Sequence, residues 1–297
     1  MSKKFKKKIN KLIYTAIVAA VGFILVELGI VDPAVAGLNG GYPVPIEKHG
    51  DTVSFLSTGQ SDCALISSGG EYCLIDVGQT ESGHIGVVEY LNNAGVEEIE
   101  LMIVTHFHSD HTSELLDVMD NFRINNIIIP DLNKENVPTA EYFKKFLSKV
   151  EEDNIKLIAA QKGVQHTVGN GVVTILADTY NDLEINSTSV ASLFTQGEFT
   201  FLSTGDGEKE YEERLLKDFS EKVTLFVAGH HGSGDANTKN FITAIKPDFV
   251  AISAGKDNDY GHPHREVVQL FKDMGIPYKV TAEDGTIVYS ITDNKVL

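Results

Sequence analysis

One stretch constrains this chain more than any other: VTHFHSDH, residues 104–111. The apolar residues Leu101–Val104 lead into it and predict a buried strand, so the histidines lie on the loop that leaves the carboxyl end of that strand. Three imidazoles and one carboxylate within six residues are unfavourable in an apolar core but well suited to binding cations.

The order of the ligand-type side chains in this loop predicts two cation sites. His106 and His108 lie two residues apart, so on a loop both rings can turn toward one ion. The adjacent Asp110 and His111 suit a second ion, and two-metal hydrolytic sites hold their ions roughly 3.5–4 Å apart. The alternative is a solvated, histidine-rich loop.

The distribution of histidines favours a site over a solvated loop. Seven of the ten histidines fall in three clusters, at residues 106–111, 230–231 and 262–264. The pair His230 and His231 follows a second apolar strand and is flanked by glycines. His262 and His264 flank a proline, and their rings are interpreted as ligands, as donors to a phosphate or as part of a helix N-cap region.

A further strand ends in a carboxylate. Phe201–Thr204 is followed by Gly205, which lets the backbone turn, and by Asp206. A strand-terminal Asp often caps a turn or a helix. The other clusters favour a metal ligand here, and we interpret Asp206 as the carboxylate that bridges two cations.

Composition describes a globular protein with an acidic body. Apolar residues make up 42% and charged residues 23%, and the formal net charge is −17. The first 36 residues hold six lysines and two acidic residues, which leaves 19 basic and 40 acidic residues on the remainder. Such a body has no general attraction for nucleic acid, so the metals would have to hold any phosphodiester substrate.

The first 36 residues predict a targeting element. Lysines precede Leu12–Ile30, which is apolar except for Glu27, and Ala34-Val35-Ala36 resembles a signal-peptidase site. A membrane anchor and a cleaved signal peptide are both compatible with this pattern, and a buried helix is a third interpretation. The first two place the body outside the cytoplasm. Residues 37–50 predict a linker, and residues 51–297 predict one hydrolase domain.

The two cysteines flank a predicted hairpin. Cys63 and Cys73 lie on either side of a turn at Ser68-Gly69-Gly70. Their near-symmetric placement allows a disulfide, which an exported protein would keep. The alternative is a pair of small buried hydrophobic side chains that never bond.

The order of predicted elements indicates the fold class. Short strands come first, and alternating strands and helices follow in each half of the chain. One predicted helix covers Glu81–Asn93, where apolar residues recur at helical spacing. This pattern predicts an α/β protein with two sheets packed together and helices outside.

Taken together, these motifs resemble the metallo-β-lactamase superfamily. The match rests on THFHSDH, on LIDVG before it and on LSTGD after it. FLSTGQSDCAL, AGHHGS and AGKDNDYGHPH are similar to the hydrolase domain of ComEC-type competence proteins. The resemblance covers about Thr52 to Ile291 and implies a four-layer αββα sandwich, with two metal ions at the shared edge of its sheets.

The resemblance also implies roles for individual residues. The first ion would be bound by His106 and His108, the second by Asp110, His111 and His230, and Asp206 would lie between them. The residues that would lie around the ligands and support them are Asp76, Ser233 and Asn186.

This sequence departs from the family pattern in three respects. The superfamily usually has another histidine between the metal loop and the bridging Asp, and His166 lies in a hairpin strand instead. Either the protein leaves the first ion under-coordinated, or Asn186, His262 or His264 completes the first site. Ser57 stands where the ComEC branch tends to have Asp, and no channel portion accompanies the domain.

The function predicted is that of an exported hydrolase in which two divalent ions activate water. Ligands without thiolate suit zinc first, with manganese or iron as alternatives. Asp110, His231, His262 and His264 are the predicted catalytic residues, and the three histidines would donate to phosphate or to the leaving oxygen.

Several functions are compatible with these residues. A ComEC-like phosphodiesterase or nuclease is the first prediction. An esterase for cell-envelope phosphodiesters, of the teichoic-acid or choline-phosphate type, is the second. Carboxyl-ester, lactam or thioester hydrolysis and a non-enzymatic binding module are further alternatives. The membrane is a partner through residues 1–36, and no protein partner is inferred.

Overall fold

The computed structural model describes residues 50–138 and 141–297. Their strands form an eight-stranded sheet and a seven-stranded sheet. The predicted signal or anchor at residues 1–36, and the predicted linker apart from Gly50, lie outside the described residues. Within the described ranges, no helix is long and apolar enough to cross a bilayer.

The first sheet has the order β15-β14-β1-β2-β3-β4-β5-β6. Its strands are β1 (Thr52–Phe55), β2 (Ala64–Ser68), β3 (Glu71–Ile75), β4 (Glu98–Ile103), β5 (Arg123–Pro130), β6 (Lys156–Ala160), β14 (Ile287–Ser290) and β15 (Lys295–Val296). Strands β3 to β6 pair in parallel, and the other neighbours are antiparallel.

The second sheet has the order β13-β12-β11-β10-β9-β8-β7. Its strands are β7 (Gln165–Val168), β8 (Gly171–Ile175), β9 (Ser192–Gln196), β10 (Phe199–Ser203), β11 (Leu225–Val227), β12 (Phe249–Ile252) and β13 (Tyr278–Val280). Here β10 to β13 are parallel.

The structure describes eight α-helices, six of which lie on the outer faces of the two sheets. The eight helices are α1 (Val87–Asn93), α2 (Ser109–Thr112), α3 (Leu115–Asn121), α4 (Glu141–Glu152), α5 (Lys209–Leu215), α6 (Lys239–Ile245), α7 (Arg265–Asp273) and α8 (Thr281–Asp284). Helices α1, α3 and α4 pack on one sheet, α5, α6 and α7 pack on the other, and a third apolar cluster lies between the sheets. The predicted two-sheet α/β fold is confirmed, and its layers are consistent with a sandwich.

Alternation along the strands explains how one sheet supports two cores. In β4, Leu101 and Ile103 join the cluster between the sheets, whereas Met102 joins the cluster under the helices. Successive side chains of a strand point to opposite faces, so a strand buried on both faces is apolar throughout.

The helix predicted at Glu81–Asn93 is shorter in the structure. It begins at Val87, whose backbone N–H donates to Glu114 Oε2 at 3.0 Å. The carboxylate of Glu81 instead accepts the Gln60 backbone N–H at 3.1 Å. Residues 81–86 therefore form a loop that is held by contacts distant in sequence, which helical spacing cannot reveal.

The disulfide alternative for the two cysteines is wrong. Cys63 and Cys73 are buried and free. The β2–β3 register pairs Cys73 with Ile66, three residues beyond Cys63. An odd offset places two side chains on opposite faces, and accordingly Cys63 lies under the helices while Cys73 lies between the sheets.

Candidate metal centre

Ligand-type side chains converge because they follow the carboxyl ends of parallel strands in both sheets. Asp76 follows β3, the histidine loop follows β4, Asp206 follows β10 and the histidine pair follows β11. Carboxyl ends of parallel strands meet at one edge of a sheet, which is where α/β folds place their sites.

Asp76 holds the histidine loop in place. Its carboxylate accepts hydrogen bonds from the Thr105 backbone N–H at 2.8 Å and from the Thr105 hydroxyl at 2.7 Å. It also lies 2.8 Å from Nδ1 of His111. This contact leaves Nε2 of His111 free to face the cleft, as in metal-binding histidines whose other ring nitrogen is bonded to a carboxylate.

The two histidines predicted to share an ion face each other. Nε2 of His106 lies 3.1 Å from Nδ1 of His108. The ring of His106 is buried, and that of His108 is partly exposed. The short helix α2 then carries Asp110 and His111, whose carboxylate oxygen and Nε2 are 4.0 Å apart.

Asp206 lies at the centre of the imidazoles. Its carboxylate oxygens lie 3.2 Å from Nε2 of His111, 3.9 Å from Nε2 of His106, 3.7 Å from Nε2 of His230 and 3.8 Å from Nε2 of His231. The side chain is 2% exposed. One buried carboxylate thus faces four ring nitrogens.

Gly205 allows this close approach. Its φ is +51°, and an added Cβ would lie 2.7 Å from Ser189 Oγ and 2.8 Å from Thr105 Cβ. A larger residue would therefore push β10 away from the histidine loop.

The histidine pair occupies a tight left-handed turn. His230 has φ 50° and His231 has φ 54°, which directs the two rings differently. Nδ1 of His231 lies 3.0 Å from the Ser253 carbonyl, to which it donates, and Nε2 lies 3.2 Å from Asp110 Oδ2. His230 lies beside Glu208, at 3.9 Å between Nδ1 and Oε1.

Four buried side chains in the centre offer ligand atoms that lie within 4.8 Å of one another. They are three residues already described, His111, Asp206 and His231, and one new residue, Asp62. Sequence reasoning gave His231 a catalytic role and assigned no role to Asp62. Asp62 Oδ1 lies 3.6 Å from Nδ1 of His231, the nitrogen that does not face Asp110. Asp62 therefore supports the ring from behind. It belongs to the FLSTGQSDCAL segment, and that motif was the signal available in the sequence.

The remaining predicted residues lie at different distances from this centre. His262 and Asn186 line the cleft. His264 does not, because its Nδ1 accepts the Gly234 backbone N–H at 2.8 Å and its Nε2 lies 3.2 Å from the Tyr260 carbonyl. Ser233 helps to close the histidine turn through its backbone N–H, which donates to the His230 carbonyl at 2.8 Å.

His166 is held away from the cleft. Its Nε2 lies 2.9 Å from Glu100 Oε1, near the start of β4, whereas the histidine loop follows the end of that strand. The structure therefore does not bring it to the other histidines.

The charges in the centre favour cation binding. Burial acts to raise the pKa of Asp206, but the imidazoles, His111 first, hold it well below its ordinary value. The pKa of Asp110 falls to about 2, because the hydrogen bond from His231 and the proximity of His111 outweigh burial. Burial, with His111 nearby, lowers the pKa of His106 well below its usual range. Charged carboxylates and a neutral imidazole are the forms that bind metal. Asp206 and Asp76, however, outweigh burial and raise the pKa of His111, so this ring would release a proton when it bound an ion.

Unpaired polar atoms give a structural test of whether a metal fits. Among the described residues, several buried side-chain atoms in and around the centre have no hydrogen-bond partner: Asp62 Oδ1, His111 Nε2, Asn186 Oδ1, Asp206 Oδ1 and His230 Nδ1. Buried polar atoms in native proteins are nearly always paired with protein, water or an ion. An all-nitrogen-and-oxygen donor set suits zinc or manganese. The residues present therefore fit a divalent cation.

The centre opens into a polar cleft of about 330 Å³. Its walls include Gln60, Ser109, Tyr260 and His262 beside the ligand-type residues. Burial and the neighbouring imidazoles of His231 and His230 lower the pKa of His262 to about 4. Its ring is therefore neutral at pH 7 and able to donate one hydrogen bond and accept another.

Comparison with known proteins identifies curated relatives among competence proteins. The chain is 27% identical over 258 residues to ComE operon protein 3 of Bacillus subtilis (strain 168), covering 81% of this chain and 32% of the relative. It is 23% identical over 253 residues to competence protein ComA of Neisseria gonorrhoeae, covering 84% and 33%. The chain thus spans about a third of the length of these relatives. The predicted resemblance to ComEC-type competence proteins is confirmed.

Solved structures share the fold. The metallo-beta-lactamase fold protein YhfI from Bacillus subtilis matches with a TM-score of 0.56 at 15% identity, over 80% of this chain and 99% of that one. CmlA, a diiron beta-hydroxylase from Streptomyces venezuelae, matches with a TM-score of 0.56 at 16% identity, over 90% and 59%.

The family model for this fold matches residues 56–255, two thirds of the sequence. That span includes the histidine loop, Asp206 and the histidine pair. The chain belongs to the metallo-beta-lactamase superfamily.

Proposed function

We propose that this chain is a metal-dependent phosphodiesterase that acts on nucleic acid outside the cytoplasm. The observation that carries the proposal is the position of Asp206, within 3.9 Å of four ring nitrogens from two loops. A buried carboxylate among imidazoles would help to hold a pair of divalent ions. Export rests on the sequence of residues 1–36 alone.

The ligand atoms divide into two groups around Asp206. His106 and His108 would hold the first ion, and Asn186, whose Oδ1 is unpaired and which lines the same cleft as His108, would complete that site. Asp110 and His111 would hold the second ion. Zinc, or manganese in its place, supplies Lewis acidity that activates water at neutral pH and offsets negative charge on a phosphate.

One imidazole of the histidine pair completes the second group. The sequence predicts His230 in this role, and the geometry favours His231. Nδ1 of His231 donates to the Ser253 carbonyl while Nε2 faces Asp110. That orientation is characteristic of a metal-binding histidine. Either ring belongs to the same turn, so the proposed function does not depend on the choice.

The cleft residues outside the ligand set would bind the substrate. His262 and Gln60 line the cleft and lie 3.4 Å apart. Both side chains can donate hydrogen bonds to the oxygens of a phosphodiester, and His262 would orient the leaving oxygen. Backbone groups occupy both nitrogens of His264, so its predicted contact with phosphate has less support.

The names of the relatives support nucleic acid as the substrate. Besides the competence proteins, a recombination protein of Haemophilus influenzae is 24% identical over 239 residues, which is 79% of this chain. This chain covers 28% of that relative, so the activity of the whole relative is carried over as a proposal.

The charge of the chain favours a second candidate, a cell-envelope phosphodiester esterase of the teichoic-acid or choline-phosphate type. The net charge is −17, and Asp257 and Asp259 are exposed close in sequence to the cleft residue Tyr260. Long DNA binds through neutralised phosphates and disfavours such a surface. An esterase for short or neutral-headgroup phosphodiesters does not need a basic face.

A substrate panel tests the proposal. The full-length chain, loaded with zinc or with manganese, is assayed on single-stranded DNA, a glycerol-phosphate polymer, a choline-phosphate ester and a lactam. Cleavage of DNA with metal and its loss with chelator are expected. Cleavage of the envelope polymer or the choline ester without DNA would favour the second candidate, and cleavage of the lactam alone would refute both.

A further inference from the structure

An exposed aromatic ring stands at the mouth of the cleft. Tyr260 is 68% exposed, the highest value among the exposed large hydrophobic side chains of the described residues. It nevertheless lines the same cleft as Asp110, Asp206 and His231. An apolar ring left in water beside a reactive centre has a free face for a ligand.

The ring is the outer member of an aromatic stack. Tyr260 lies over His262 with ring centroids 5.7 Å apart and an interplanar angle of 24°. His262 in turn lies over His231, at 6.1 Å and 23°. His262 covers one face of the Tyr260 ring. Because Tyr260 is nevertheless largely exposed, the opposite face of its ring is open to solvent. The stack thus leads from solvent to the candidate metal centre.

Hydrogen bonds fix the loop that carries the ring. Asn258 Oδ1 accepts the backbone N–H groups of Tyr260 at 3.2 Å and His262 at 3.0 Å. Asn258 Nδ2 donates to the carbonyls of Gly255 at 2.8 Å and His262 at 2.6 Å. His264 Nε2 contacts the Tyr260 carbonyl at 3.2 Å. A ring held in advance loses little entropy on binding a flat partner.

The charges around the Tyr260 ring do not favour the binding of a polyanion. Asp257 and Asp259 are exposed on the same loop and outnumber the exposed Lys256, so the net charge of the loop does not attract a polyanion. Affinity for a strand of nucleic acid would have to come from the metal centre and from stacking. Base–aromatic stacking is strong enough for this and tolerates every base.

We propose that Tyr260 is a stacking platform for a nucleobase of the bound strand, which narrows the substrate to single-stranded nucleic acid. This inference rests on the proposed phosphodiesterase function. In a duplex the bases stack on one another and are not available to a protein ring, whereas in a single strand they are. A glycerol-phosphate polymer has no base to stack.

The test distinguishes binding through the base from binding through the phosphate. Full-length Tyr260→Ala, Tyr260→Phe and Tyr260→Trp are compared with the native chain on two strands of 12 units, one of deoxythymidine and one of abasic tetrahydrofuran sites. The strands carry equal charge. Leu147→Ala, on α4 and 41% exposed, is the control for removal of an exposed apolar side chain. KM is measured for both strands, and Kd is measured for their uncleavable phosphorothioate forms with zinc present.

Tyr260→Ala is expected to raise KM and Kd for the thymidine strand roughly tenfold and to leave both values unchanged for the abasic strand. Phe and Trp should retain the native values, because both keep a ring. Equal effects on the two strands, or no effect on either, would overturn the inference. If the native chain cleaves neither strand, the proposed function fails separately, and the Kd contrast alone decides the role of Tyr260.

Discussion

The side chain of Asn237 pairs with the backbone of Gly229 in both directions. Its Oδ1 accepts the Gly229 N–H at 3.0 Å, and its Nδ2 donates to the Gly229 carbonyl at 2.8 Å. Nδ2 also lies 3.2 Å from the Ser233 carbonyl, so one amide spans the whole turn that carries His230 and His231. A turn with two left-handed histidines persists only where neighbours impose it.

Replacing this amide should therefore loosen the histidine turn. We expect Asn237→Ala to lower the free energy of unfolding by about 2 kcal/mol, because it leaves buried backbone groups of Gly229 unpaired. Urea denaturation with a chelator present measures this without a contribution from metal. The control is Asn92→Ala, an exposed amide that makes one hydrogen bond within its helix. Equal small losses in both variants would contradict the role of Asn237.

Glu212 supports the same turn from α5 and makes the stability of the protein depend on pH. Its carboxylate accepts the backbone N–H groups of Asn237 at 2.6 Å and Thr238 at 2.9 Å. Burial raises the pKa of Glu212 to about 7, although those hydrogen bonds act in the opposite direction. An acid whose pKa is raised in the folded state contributes its full stabilisation at pH values below its pKa in the unfolded state. That contribution is lost as the pH rises through the folded value.

We expect the free energy of unfolding to fall between pH 4.5 and about 7 by an amount that Glu212→Gln abolishes. The difference between the two proteins should change by about 3 kcal/mol across this range, since one pKa unit corresponds to 1.36 kcal/mol. Urea denaturation at several pH values measures it, and acids common to both proteins cancel. If the free energies of unfolding of the two proteins changed with pH in parallel, folding would not change the pKa of Glu212, and the prediction would be contradicted.

The sequence was informative where chemistry and strand order coincide. Histidines and acids that follow apolar strands could be assigned to one site before their distances were known, because carboxyl ends of parallel strands share an edge. His106, His108 and Asp206 were identified in this way, and the structure brings them together.

Other features depend on long-range geometry that a linear pattern does not contain. The orientations of His230 and His231 follow from left-handed backbone angles, which Asn237 holds. The support from Asp62 follows from a contact across most of the chain, with His231. The sides of the sheet on which the cysteines lie follow from a hairpin register that differs from the predicted one.

The central position of Asp206 among four imidazoles predicts loss of metal on neutralisation. Asp206→Asn keeps the size of the side chain but removes the charge that faces four imidazoles. Loss of groups that merely orient metal ligands weakens binding about 10–100-fold, and loss of a ligand should exceed about 100-fold. Zinc titration against a competing chelator measures the affinity. Asp117→Asn, on the exposed face of α3, should bind like the native chain, and unchanged affinity in Asp206→Asn would contradict the assignment.

Alanine substitutions should distinguish the roles of the two histidines of the turn in metal binding. His231→Ala should bind about one divalent ion fewer per chain, because Nε2 of His231 faces both Asp110 and Asp206 while Nδ1 is bonded to the Ser253 carbonyl. His230→Ala should keep its metal content, since this ring is 20% exposed and lies beside Glu208. Inductively coupled plasma mass spectrometry of dialysed protein gives the stoichiometry, with His166→Ala as the control histidine outside the cleft. The reverse result, with metal lost from His230→Ala alone, would restore the assignment drawn from the family resemblance.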